Sequence, residues 1–147
     1  MILPVELHLA INHLPVLGLP FAAGLLAAGI VFDNVEWRRA GLWTAALSAI
    51  CVWVVYYSGG LAADAAGALA GISDADVGRH AVAAWRFAWM ASFVAAASAA
   101  ALSRPSRRAA SVVLAMALGA SVIGGWTAQL GGRIRHPELR AGTGREN

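Results

Sequence analysis

The stretch from Leu14 to Phe32, LPVLGLPFAAGLLAAGIVF, contains no charged residue. A helix needs about 20 such residues to cross a hydrocarbon core of roughly 30 Å, and this run is of that length. Three further uncharged runs follow: Ala40–Ala63, Phe87–Ser103 and Ala109–Gly132. Phe87–Ser103 is short by itself and reaches a full span only when extended back to His80, which places Arg86 inside it. Strands would leave backbone groups unsatisfied in lipid, so each run is read as a helix. The expected spans are about 12–32, 40–59, 80–102 and 109–130, an all-α, integral membrane four-helix bundle.

Composition points the same way. Of 147 residues, 59% are hydrophobic and 13% charged, mean hydropathy is +0.65, and all eleven basic residues are arginine. Soluble domains carry about 25% charged residues. A water-soluble enzyme, a disordered chain and a nucleic-acid binder are therefore excluded as readings, despite the net charge of +3. The single Cys51 lies in an apolar run; there is no C-x-x-C-H for covalent haem and no cysteine cluster for zinc or iron–sulfur. The N-terminus carries Glu6 and two histidines where a signal peptide has a basic region, so no cleaved leader is expected.

Asp33–Arg39 and Ser103–Arg108 are short enough to make two antiparallel hairpins. Leu61–Ala70 is read as a short interfacial helix, and Ser73-Asp74 as the N-cap of the third span. Residues 1–132 form the transmembrane domain and 133–147 an exposed tail. No convincing internal repeat is visible. Arg38, Arg39, Arg104, Arg107 and Arg108 in the hairpin turns place those turns in the cytoplasm and both termini outside it, although Arg79 and the tail arginines offset the bias. The expected location is the bacterial inner membrane.

Alternating spans bring His8, His13, His80 and His136 to one membrane face. Helical bundles build metal and cofactor sites from such facing side chains. His13 and His80 open spans 1 and 3 at similar depth and are the preferred pair for a b-type haem, which takes imidazoles on its two faces. His8 lies five residues before His13, about 140° away on one helix. His136 precedes Pro137, which disfavours helical geometry there. These four are the metal-ligand candidates. Arg86 and Arg79 are candidates for holding haem propionates, a role that suits the guanidinium fork. Trp53, Trp85, Trp89 and Trp126 are read as cofactor walls or as packing residues. The hydroxyls of Tyr56, Tyr57 and Ser58 face the same end. Gly18, Gly24, Gly124-Gly125 and Gly131-Gly132 are read as close-packing positions. No nucleophile elbow, H-E-x-x-H or phosphate loop is present, so chemistry beyond electron transfer is not expected.

Three segments together carry a resemblance: H-L-A-I-N-H-L-P at His8–Pro15, S-G-G-L-A-A-D through G-R-H at Ser58–His80, and T-A-Q-L-G-G-R-I-R-H-P-E at Thr127–Glu138. The chain resembles, over nearly its whole length, an uncharacterised group of small bacterial four-helix membrane proteins that look distantly like b-type membrane cytochromes. The resemblance implies the four-helix membrane fold and a haem role for His13 and His80. Ala63 and Ala81 stand where the group tends to have acids, which removes a carboxylate partner beside His80 and weakens a metal-hydrolase reading. The expected partners are the lipid bilayer and a quinone or a larger redox complex, and the small-residue helix faces permit self-association. The competing expectation is a cofactor-free structural or accessory subunit.

Overall fold

A computed structural model describes residues 4–66 and 73–135. The described chain is helical between short turns: α1 (Pro4–Ile11), α2 (His13–Val31), α3 (Val35–Ala66), α4 (Asp74–Leu102) and α5 (Arg107–Arg135). Because α1 and α2 run on as one span, Val5–Val31, four helices are long and apolar enough to cross a membrane. The expected four-helix bundle of two hairpins is what the chain forms.

The helices outrun the apolar stretches that announce them. The first begins at Pro4 rather than near residue 12, and the third begins at Asp74. The second continues to Ala66, so the part of Leu61–Ala70 that is described extends α3 instead of forming a separate interfacial helix. A helix that leaves the hydrocarbon keeps its internal hydrogen bonds, so polarity alone does not end it. The Ser73 cap is as expected: its side chain accepts from the Asp76 N–H. The break between α1 and α2 has a local cause. Pro15 has no N–H for the carbonyl of Ile11, and its ring crowds that carbonyl. Asn12 nevertheless keeps helical angles and donates its N–H to His8 O at 3.0 Å.

Around the bundle, α2 packs on α3, α3 on α4, α4 on α5, and α5 back on α2, while α1 lies against α3. The interior is built from small side chains such as Ala22, Ala45, Ala88, Ala91, Ala110 and Ala117. Large apolar residues, among them Leu17, Phe21, Leu47, Ile50, Phe93 and Val122, point outward. This distribution suits a chain solvated by lipid, where close backbone approach, not burial of bulk, drives helix association.

A repeat that is faint as identity emerges in the packing. One constant offset in numbering relates buried residues of the first hairpin to buried residues of the second: Leu19 to Ala91, Ala22 to Val94, Leu26 to Ser98, Ala45 to Ala117. Most of these residue types differ, so the sequence alone gives little sign of the correspondence. Two equivalent hairpins with the same direction imply a pseudo-twofold axis along the bundle, with α2 opposite α4 and α3 opposite α5.

Arg38, in the first hairpin turn, is buried. Its Nε donates to Pro105 O at 2.9 Å, and Nη1 donates to Gly29 O at 3.0 Å and Asp33 Oδ1 at 2.9 Å. One guanidinium thus ties the tip of the first hairpin to the tip of the second.

Candidate functional site

At the end of the bundle opposite the hairpin tips lies a cavity of about 470 Å³, within the range of about 300–1,000 Å³ for small-molecule and cofactor sites. Its lining is mostly apolar, including Pro15, Val52, Val55 and Phe87, with polar groups from His8, Asn12, His13, Tyr56, Tyr57, His80 and Thr127.

His8 reaches this cavity because α1 prolongs the first span and lays its ring against α3. Its Nδ1 lies 3.1 Å from Ser58 Oγ. Ser58 spends its own proton on Val55 O at 2.9 Å, so the network assigns the Nδ1–H of His8 as donor to Ser58 Oγ. His80 repeats the arrangement against α5: its Nδ1 donates to Thr127 O at 3.0 Å. An imidazole that carries its single proton on Nδ1 keeps the Nε2 lone pair. Holding Nδ1–H on a fixed acceptor is how proteins set tautomer and orientation in a ligating imidazole.

Each ring also rests on a glycine. A Cβ at Gly59 would stand 3.0 Å from His8 Cε1, and one at Gly131 would stand 3.0 Å from His80 Cε1. The offset that relates the two hairpins also takes His8 to His80, Val55 to Thr127 and Gly59 to Gly131. The two histidines are therefore one position of the repeat seen twice, and both line the cavity.

The other expected site residues fall differently. His13 is exposed and lines the cavity's margin, so the structure brings His8, His13 and His80 together, with His8 rather than His13 as the counterpart of His80. His136, with the tail beyond residue 135, lies outside the described residues. Arg79 pairs with Asp76 one turn earlier on α4. Arg86 is exposed, and neither arginine lines the cavity. Among the described residues no tryptophan lines it either. Trp53 and Trp89 meet edge to face, 6.2 Å between centroids, in the α3–α4 seam, where Trp53 Nε1 donates to Ser92 Oγ at 2.9 Å. The role of α1, and with it the placement of His8, is what reading the sequence misses; the shared spacing of His8–Gly59 and His80–Gly131 is the signal that could have found it. Of the glycines read as packing positions, Gly18, Gly124 and Gly131 meet neighbours, whereas Gly24, Gly125 and Gly132 face open space.

Among the described residues no group of three or more His, Cys, Asp and Glu side chains is placed to hold a metal ion. What converges is a pair of imidazoles. Asn12, one of the lining residues, has a buried Oδ1 that accepts no hydrogen bond. Comparison with family models, curated proteins and solved structures found no match to this chain.

Proposed function

We propose that the protein is a membrane-bound b-type haem protein of the bacterial inner membrane, in which His8 and His80 would hold the haem. The observation that carries this is the matched pair of rings, each held through Nδ1 by a neighbouring helix and each left with a free Nε2. The donor set fits: a porphyrin brings four nitrogens of its own, so two imidazoles complete its coordination. Pseudo-twofold symmetry suits a ligand with two equivalent faces. Gly59 and Gly131 give each ring room at the helix surface that any larger residue would take. When bound, haem supplies reversible one-electron chemistry.

The chain's own residues bind and orient. Ser58 and the Thr127 carbonyl fix the ring tautomers, while Val52, Val55 and Phe87 keep water from the interior. The arginine-rich hairpin turns support a cytoplasmic location for the opposite end and so favour the non-cytoplasmic face for the cavity. Electrons would then pass between haem and a lipid-soluble or external redox partner.

The test is a reduced-minus-oxidised spectrum of detergent-purified protein from haem-sufficient cells. A b-type band lost in His8→Ala and in His80→Ala, and retained in His13→Ala, is the expected result. A colourless protein with full helicity overturns the proposal and leaves a cofactor-free accessory subunit.

A further inference from the structure

We infer that the second hairpin turn, Arg104–Arg108, holds the head group of an anionic phospholipid. The inference is independent of the haem assignment, which concerns the opposite end of the bundle.

The two turns occupy equivalent places in the fold but differ in charge. In the first, Asp33 and Glu36 each stand beside an arginine, Arg38 at 2.9 Å and Arg39 at 3.5 Å. The offset between the hairpins takes Phe32, Val35 and Glu36 to Arg104, Arg107 and Arg108, and no Asp or Glu occurs between Asp76 and Glu138. All three arginines are exposed. Among the described residues none of the three has an ion pair. The turn is also held in place: Arg38 Nε donates to Pro105 O at 2.9 Å, which fixes the backbone between them to the first hairpin. Three unopposed like charges are thus kept at one corner of the bundle.

Depth names the counter-ion. Arg107 opens the last apolar span, Arg107–Ile134, so the turn lies where hydrocarbon gives way to head groups. At the neighbouring tip Phe32 and Trp37 meet edge to face, 5.9 Å between centroids, and both are exposed. A tryptophan so placed belongs to the interfacial belt. The anion resident at that level is lipid phosphate, which the guanidinium fork can grip with two hydrogen bonds. A zwitterionic lipid carries its own cation beside the phosphate, so unopposed arginines favour a lipid of net negative charge. Arginines at helix ends are common as orientation signals. What distinguishes these is their concentration, without acids, on one of two otherwise equivalent tips.

The experiment is native mass spectrometry of the full-length protein released from micelles that hold equal amounts of phosphatidylglycerol and phosphatidylcholine. The adduct with one lipid should contain phosphatidylglycerol in excess by at least about fivefold. Arg104→Gln, Arg107→Gln and Arg108→Gln combined should abolish the preference. Equal retention of the two lipids by the unaltered chain, or an undiminished preference in the triple variant, overturns the inference. Arg107→Gln and Arg133→Gln remove the same charge from opposite ends of α5, and only the former should weaken the preference. An equal fall in both would report net charge alone and reject the site. This pair decides if the triple variant fails to fold. Glycerophosphoglycerol, the same head group without acyl chains, should not displace the lipid at equal concentration; displacement would assign the turn to a free anion instead.

Discussion

His8 and His80 occupy the same position in the two hairpins, and so do Gly59 and Gly131, the glycines on which their rings rest. The pairing makes the placement of the two rings and their glycines a product of the fold's symmetry. A consequence is testable at the glycines. In Gly59→Ala or Gly131→Ala the new methyl would approach the imidazole Cε1 at 3.0 Å, closer than ordinary contact allows. Each ring must move by a few tenths of an ångström, enough to disturb the haem ligation proposed above while leaving the helices intact. Lower haem content in both variants, at unchanged circular dichroism, is the expected outcome. The adjacent Gly60 and Gly132 face open space. Gly60→Ala and Gly132→Ala should leave both imidazoles where they are and gain up to about 1 kcal/mol of stability from the better helix former.

The two halves differ in how the rings are held, and that difference predicts an asymmetry. His8 depends on a side chain, Ser58 Oγ, whereas His80 depends on a backbone carbonyl at Thr127. Ser58→Ala removes an acceptor, and the loss of such a partner typically weakens ligand affinity about 10–100-fold. Thr127→Ala leaves its carbonyl in place and removes only the hydroxyl that donates to Ile123 O. Haem titration of the two variants should separate them by at least about tenfold; equal behaviour would show that tautomer control is not what Ser58 provides.

Legibility in the sequence follows chemistry more closely than geometry. The four spans are readable because a charge-free run of this length has one stable form in lipid. Their ends are not, since Asp64 and Asp74 lie within helices that extend past the apolar runs. His13 draws attention because it opens an uninterrupted apolar run, but the neighbour that matters to a ring is the residue it packs on, and only α1 lying on α3 reveals that His8 meets Ser58. The arginines invert in the same way. Arg86 sits in mid-span and reads as the costly charge, yet it is exposed on the outer surface, where a long side chain extends along the helix toward the interface. Arg38 reads as part of a solvated turn and is buried, because its partner Pro105 comes from a distant turn that no local pattern predicts.

Helix packing provides a third prediction. A Cβ at Gly41 would stand 2.9 Å from the backbone nitrogen of Leu26 and 2.7 Å from its Cγ. Backbone cannot step aside as a side-chain tip can, so Gly41→Ala must push α3 from α2 and should cost about 1–3 kcal/mol. Gly119, on α5, meets nothing within 4 Å. Gly119→Ala should therefore be neutral or slightly stabilising. Thermal unfolding of both variants in the same detergent checks the contrast, and equal melting temperatures would mean that α2 and α3 are not in close contact at Gly41.

Arg38 tests whether the two hairpins are clasped at their tips. Its symmetry counterpart in the second hairpin is Ala110, so a single guanidinium makes the cross-connection for both halves. Hydrogen bonds from a charged donor contribute about 1.5–3 kcal/mol each, and Arg38 places two on main-chain carbonyls, Gly29 O and Pro105 O. The former also accepts from the Asn34 N–H at 3.0 Å, so it does not lose its only partner. Arg38→Leu should then destabilise by about 2–3 kcal/mol, most of it from the bond to Pro105. Lysine carries the charge but not the fork, and Arg38→Lys should recover less than half of the loss. The ion pair itself matters little because the Asp33 side chain is 66% exposed, and such pairs contribute about 0–1 kcal/mol. Asp33→Asn also tolerates the left-handed backbone at this position, φ 48°, and should change stability by less than about 1 kcal/mol. A large loss in Asp33→Asn with a small one in Arg38→Leu would reverse this assignment and make the turn, not the clasp between hairpins, the source of stability.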